Sequence, residues 1–273
     1  MTETQRYALA GMSVVERDLV ARADARQLRR VARGRVLEQQ PAGTPPAGEA
    51  GQRRLARLRE FHGGTVERAR APRPAPVALG TVATPPYEFE WTWSHAVNDT
   101  RVDALTAARA DGACELTGIA TGETGDATLS LRAAVGLAVR PGVDGLLTLA
   151  AAPALSWRWM TLVNLQDGAS AGFTGFVVQR FRVADNAFEG TEVQQIGPYL
   201  WSENSWWGGA NGEATTDAHP LAATIPVSAA HWYAVWVWCG TIADAGHDFG
   251  IFWWASARSS LALRLPYVAW NVA

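Results

Sequence analysis

Gly168-Ala-Ser-Ala-Gly172 matches G-x-S-x-G, the tight turn that exposes a nucleophilic serine between a strand and a helix. Ser170 would attack an acyl carbon, and Asp244 and His247 follow in an order that a serine triad can take. The residues after Gly172, Phe173-Thr-Gly-Phe-Val-Val-Gln-Arg-Phe181, read as a strand and not as a helix. The pattern is therefore read as a hairpin loop, and hydrolysis is not expected from it. Glu88 and Glu90 lie two residues apart, about 6.6 Å along a strand, within the range of glycosidic carboxylate pairs. Paired acids on a solvated strand face are the commoner meaning of that spacing. His62, His95, His219, His231 and His247 form no H-x-x-x-H or Cys/His ligand set. His247 beside Asp244 and Asp248 reads as a polar turn. No catalytic group, metal or cofactor is expected, and the chain is read as a non-enzyme.

Recognition chemistry is better represented. Gly197 to Gly212 is rich in Gly, Asn and Ser and reads as a loop carrying Trp201, Trp206 and Trp207 among Glu203, Asn204 and Asn211. These six residues are the expected ligand-binding set. Indole faces beside acid and amide groups suit the apolar faces and hydroxyls of a sugar. They also suit choline through cation–π contact, a membrane interface, or a hot spot on a protein surface. The alternative is a loop folded back to cap the body. The stretch from Trp201 to Trp207 is similar to the aromatic headgroup-binding region of actinoporin-like toxins, over those residues alone. That resemblance implies a membrane-active sandwich, and the Arg-rich N-terminal segment departs from that family's more apolar helix.

The elements that must hold these residues read as strands. Tyr87, Phe89, Trp91 and Trp93 alternate with polar residues, as do Leu129 to Val139 and Leu155 to Leu165. Further strands are expected at 175–183, 191–196, 249–255 and 261–265. His231 to Cys239 is apolar on both faces and predicts a central strand covered on each side. Most of the 13 tryptophans sit in such runs and are expected to fill a core. Eight to ten short strands with no βαβ alternation give the fold class: mainly β, an antiparallel, jelly-roll-like β-sandwich, with a barrel as the main alternative.

Residues 1–76 differ from residues 77–273. Ser13 and Glu16 form a capping box opening a helix that carries Arg22, Arg26, Arg29, Arg30 and Arg33. A Pro/Gly linker begins at Pro41, a second helix is expected over Gln52–Phe61, and Pro72, Pro74 and Pro76 make an extended connector. Lysine is absent. Residues 1–75 hold 15 arginines against 8 acidic residues, a net of +7. The rest holds 9 against 18, a net of −9, which together make the chain's −2. Such asymmetry can mark a nucleic-acid or membrane partner, or an arm that docks on an acidic body. The arm has no aromatic platform or reading module, which argues against nucleic acid and leaves a membrane surface open. Docking or homo-oligomerisation is the expected use.

No run approaches the roughly 20 apolar residues that span a bilayer. The first 20 residues carry Arg6, Glu16, Arg17 and Asp18, so neither a signal peptide nor a transmembrane segment is expected. A cytoplasmic or particle-associated location follows. Cys114 and Cys239 are read as buried thiols, with one disulfide as the alternative. The expected function is non-catalytic binding of a glycan or other surface ligand. The alternatives are a structural subunit of a capsid, tail or injection-type particle and a membrane-active, pore-forming-like sandwich.

Overall fold

The computed structural model describes residues 56, 60, 61, 80–97, 102–122, 127–196, 199–246 and 254–273. The expected Arg-rich helix, the linkers and the boundary at residue 77 lie outside them. Ala56, Glu60 and Phe61 are helical, and Phe61 is buried, with the Arg158 guanidinium 5.2 Å from its ring centroid.

The body is mainly β, and every strand pairing is antiparallel. In chain order the strands are β1 (Thr81–Ala83), β2 (Phe89–Val97), β3 (Val102–Arg109), β4 (Ala113–Gly122), β5 (Ala127–Val139), β6 (Gly145–Ala151) and β7 (Ala154–Arg182). They continue as β8 (Phe188–Ile196), β9 (Trp201–Thr216), β10 (Leu221–Val227), β11 (His231–Ala245), β12 (Trp254–Arg264) and β13 (Val268–Val272).

The large sheet runs β2-β5-β11-β7-β12-β4-β3, with β8 and β9 both on β7. Its organiser is β7, which has 29 residues. Its first half, 154–164, lies between β12 and β9, and its second half pairs with β11 on one side and β9 then β8 on the other. The sheet folds over at β7, so β4 and β12 pack across from β5 and β11. Strand β2 comes beside β3 without a ladder, and the backbone N–H of Tyr87 donates to Ala110 O at 2.8 Å. The spatial order β5-β2-β3-β4 is that of a Greek key, common in sandwiches.

The two facing layers enclose one main core. Leu116 on β4, Leu129 to Leu137 on β5, Val235 and Val237 on β11, and Leu261 and Leu263 on β12 meet there. The smaller sheet, β1-β13-β6-β10, adds Leu147, Leu149, Ile225 and Val268 to the same core. Where β7 bends, the interior shrinks to Ala120, Ala127, Val163, Ala243, Ala245, Ala255 and Ala257. Small side chains let the layers approach closely at that end.

Strand β11 is central, between β5 and β7, and buried on both faces, as its sequence predicts. Strand β5 is buried on both faces too, although its alternation predicted one polar face. Arg132 on β5 is 2% exposed, donates to Leu131 O at 2.8 Å, and lies 4.4 Å from the Phe173 centroid. Two strands expected separately, 155–165 and 175–183, are one strand, because the Gly168–Gly172 segment continues the ladder through the bend. The strand expected at 261–265 is part of β12, and most of 249–255 lies outside the described residues. Cys114 and Cys239 are free and buried. A hydrogen bond donated by the Cys114 thiol to Cys239, together with burial, pushes the Cys114 thiol well above its ordinary range.

Candidate functional site

The G-x-S-x-G segment is the inside of the bend. Residues 168–172 pair with both β11 and β9. A Cβ on Gly168 would meet Val163 Cγ1 at 2.5 Å, and one on Gly172 would collide with the Trp201 ring. The two glycines therefore make room for packing, and the expected hairpin loop is a strand interior. Ser170 is fully buried, accepts a hydrogen bond from Trp201 Nε1 at 3.0 Å, and donates to Arg258 O at 3.4 Å. Asp244 pairs in register with Ala169, so it lies on the opposite sheet face from Ser170. Its carboxylate accepts from Thr128 Oγ1 at 2.8 Å. His247 lies outside the described residues. Ser170 and Asp244 do not form a triad. Glu88 and Glu90 accept backbone N–H groups of Ala138 (3.4 Å) and Ala110 (2.6 Å), which ties β2 to its neighbours. Among the described residues no group of three His, Cys, Asp or Glu could hold a metal.

An aromatic platform forms beside this bend. On β7, Leu155, Trp157, Trp159, Thr161 and Val163 share the face turned toward the core. Trp157 and Trp159 are only half-buried, because they lie near the β9 edge. Their register partners on β9 are Ala214 and Gly212, so no bulky β9 side chain stands beside the rings. A Cβ on Gly212 would come within 2.7 Å of Trp159 Nε1, so the indole lies directly over the β9 backbone. Trp201 reaches the same face from the other end of β9. Its ring is 12° from parallel with Trp157, with centroids 6.4 Å apart, an offset stack. Polar groups continue the surface. Thr161 Oγ1 donates to Ser205 Oγ at 3.1 Å, and Ser205 Oγ donates to Glu203 Oε1 at 3.1 Å.

The six residues expected to bind ligand are thus divided. The segment from Trp201 onward is a strand and not the expected loop. An edge strand bonds to one neighbour only, which tolerates the Gly, Asn and Ser content that suggested a loop. Trp201 is 7% exposed and forms the floor of the platform. Glu203 is half-buried on the same face. Asn204 and Asn211 are exposed and pair in register with Ala169 and Met160, which places them on the other face. Trp206 and Trp207 lie in β9, with side chains outside the described residues. The sequence reading assigned Trp157 and Trp159 to the scaffold. Their i, i+2 spacing matches that of fully buried tryptophans elsewhere, so no local signal distinguished them.

A second aromatic strip lies on the outer face of the other layer. Trp91, Trp93 and His95 on β2 are half-buried and share that face with Phe89, whose ring is 5.3 Å from Trp236. Trp93 and His95 are 14° from parallel at 5.8 Å. Burial lowers the His95 pKa, keeping the imidazole neutral at pH 7. Arg132 is 5.9 Å from the Trp93 centroid.

No family model matches the chain, and no curated protein matches it. Among solved structures the chain is similar to TmCBM61 in complex with beta-1,4-galactotriose (8% identity over 63% of this chain and 88% of that one, TM-score 0.21). It is also similar to TmCBM27, a carbohydrate-binding module solved for its specific mannan recognition (13% identity, 70% and 99% covered, TM-score 0.18). A third is the enzymatically active domain of bacteriophage CBA120 tailspike protein 4 (8% identity, 66% and 19% covered, TM-score 0.17).

Proposed function

We propose that this chain is a non-catalytic recognition protein, a β-sandwich that binds a glycan on the Trp157–Trp159–Trp201 platform. A sugar ring carries C–H groups on its faces and hydroxyls around its rim. It needs a flat, polarisable apolar surface with a few fixed hydrogen-bonding groups beside it. The observation that carries the reading is the offset stack of half-buried Trp157 on buried Trp201, bordered by Glu203 and Ser205. Trp201 is locked by its hydrogen bond to Ser170, which pre-organises the floor and lowers the entropy cost of binding. The test is a glycan array with the intact protein and the Trp157→Ala and Trp159→Ala variants. Binding should be lost or reduced at least tenfold in both. Absence of glycan binding, or binding indifferent to both changes, overturns the reading.

The arm, residues 1–76, is proposed to mediate oligomerisation or docking. Its +7 charge against the body's −9 supports this. Light scattering of the full chain should show a mass that falls toward the monomer as salt rises, because screening weakens contacts between exposed charges. A monomer mass at low salt rules out oligomerisation through the arm.

A further inference from the structure

We propose that the β2 strip, Trp91, Trp93 and His95, is a second glycan-binding site, on a different sheet face from the platform and far along the sheet order from it. The inference rests on the proposed glycan function and adds a site that makes the protein bivalent.

Four observations carry it. First, the strip repeats the geometry of the platform. Trp93 and His95 are 14° from parallel with centroids 5.8 Å apart, against 12° and 6.4 Å for Trp157 and Trp201. Second, its rings are half-buried, whereas Trp236 and Trp238 beside them on the same face are 0% and 2% exposed. The strip is where the buried aromatic layer reaches the surface. Third, Ser130 stands opposite His95 in the β2–β5 ladder. It is 7% exposed, and its hydroxyl has no hydrogen-bond partner. Trp238 Nε1, on the same face, is also buried without one. Buried polar atoms left unpaired cost free energy and point to a group that completes them. A ligand hydroxyl entering at the His95 ring would do so at Ser130. Fourth, the imidazole is held neutral by burial, so it can donate at one nitrogen and accept at the other. The chemistry matched is an uncharged ring bearing hydroxyls. An anion is disfavoured, because Arg132 donates to the carbonyls of Leu131 and Thr241 and lies against the Phe173 ring.

Two sites on separate faces let one chain bridge two glycan strands, or hold one long strand with an avidity above either site alone. The test is titration calorimetry of the intact protein with cellotriose, mannotriose and galactotriose. The expected result is two bound per chain for at least one of them, falling to one in Trp93→Ala and to one in Trp159→Ala. One bound per chain, abolished by Trp159→Ala and untouched by Trp93→Ala, overturns the second site and leaves the platform standing. One bound per chain, abolished by Trp93→Ala and untouched by Trp159→Ala, overturns the platform and supports the strip. No binding of any of the three overturns both. If Trp93→Ala does not fold, His95→Ala reads the same stoichiometry, and Trp93→Phe should retain two.

Discussion

Strands β11 and β7 both carry tryptophans at alternate positions, and the two sets have opposite fates. Trp236 and Trp238 on β11 are buried, and Trp236 is pinned by a hydrogen bond from Nε1 to Gln179 Oε1 at 2.9 Å. Trp232, on the same face, stacks on Phe181 at 4.2 Å and donates to Asn186. Trp157 and Trp159 on β7 have the same spacing and remain half-exposed. The difference lies in the neighbours. Strand β11 runs between two long strands, β5 and β7, whose side chains close over its rings. The first half of β7 has β9 on one flank, whose Gly212 and Ala214 leave the rings uncovered. An indole is enclosed in the middle of a sheet and left part-exposed next to a small-residue edge.

The sharpest way to break this contrast is to truncate one ring of each kind. Trp236→Ala should cost about 3–5 kcal/mol, because it empties a fully packed volume and orphans Gln179. Trp159→Ala should cost roughly 1–2 kcal/mol, since only part of its area is withdrawn from water. Urea unfolding of both variants measures the gap, and equal losses would mean that Trp159 is core.

A smaller effect tests the floor of the platform. In Gly172→Ala the new methyl collides with the Trp201 ring, and the expected loss is about 1–3 kcal/mol. Gly142→Ala, where nothing lies within 4 Å of an added Cβ, should stay within about 0.5 kcal/mol. Near-UV circular dichroism should change in the first and not in the second. Unchanged stability in Gly172→Ala would show that Trp201 is free to move aside.

The smallest expected effect concerns the β2 strip. Burial holds the His95 pKa below its ordinary 6.5. Below pH 6.5 the unfolded chain then binds a proton that the folded one does not, so stability is full above that value and declines as pH falls from it. His95→Gln should flatten this limb of the stability–pH curve below about pH 6.5. A wild-type curve already flat there would mean that the ring is as solvated as a free imidazole.

Much of the fold was legible in the residues. Alternation marked β2, β5 and β7, and the doubly apolar run from His231 marked β11 as central, because a strand covered on both faces has no polar side to spare. Strands β1, β3, β4, β6, β10 and β13 were not anticipated; β6 and β13, with 7 and 5 residues, are too short to leave a clear periodic signal. The union of two expected strands into β7 was hidden as well. Gly168 to Gly172 has the composition of a turn, and only the close approach of the alanine-lined layers shows why small residues are needed there. The candidate site was half legible. Trp201 and Glu203 were named from composition, whereas Trp157 and Trp159 were missed because spacing carries no information on what lies beside a ring.

By itself the sequence determined that this chain builds antiparallel strands rich in tryptophan, that β11 is central, and that its two halves carry opposite charge. These follow from local pattern and composition, which act within a few residues. Only the tertiary structure decided which indoles are buried and which face solvent. Exposure depends on residues that meet across the ladder from distant parts of the chain, such as Trp159 with Gly212 and His95 with Ser130.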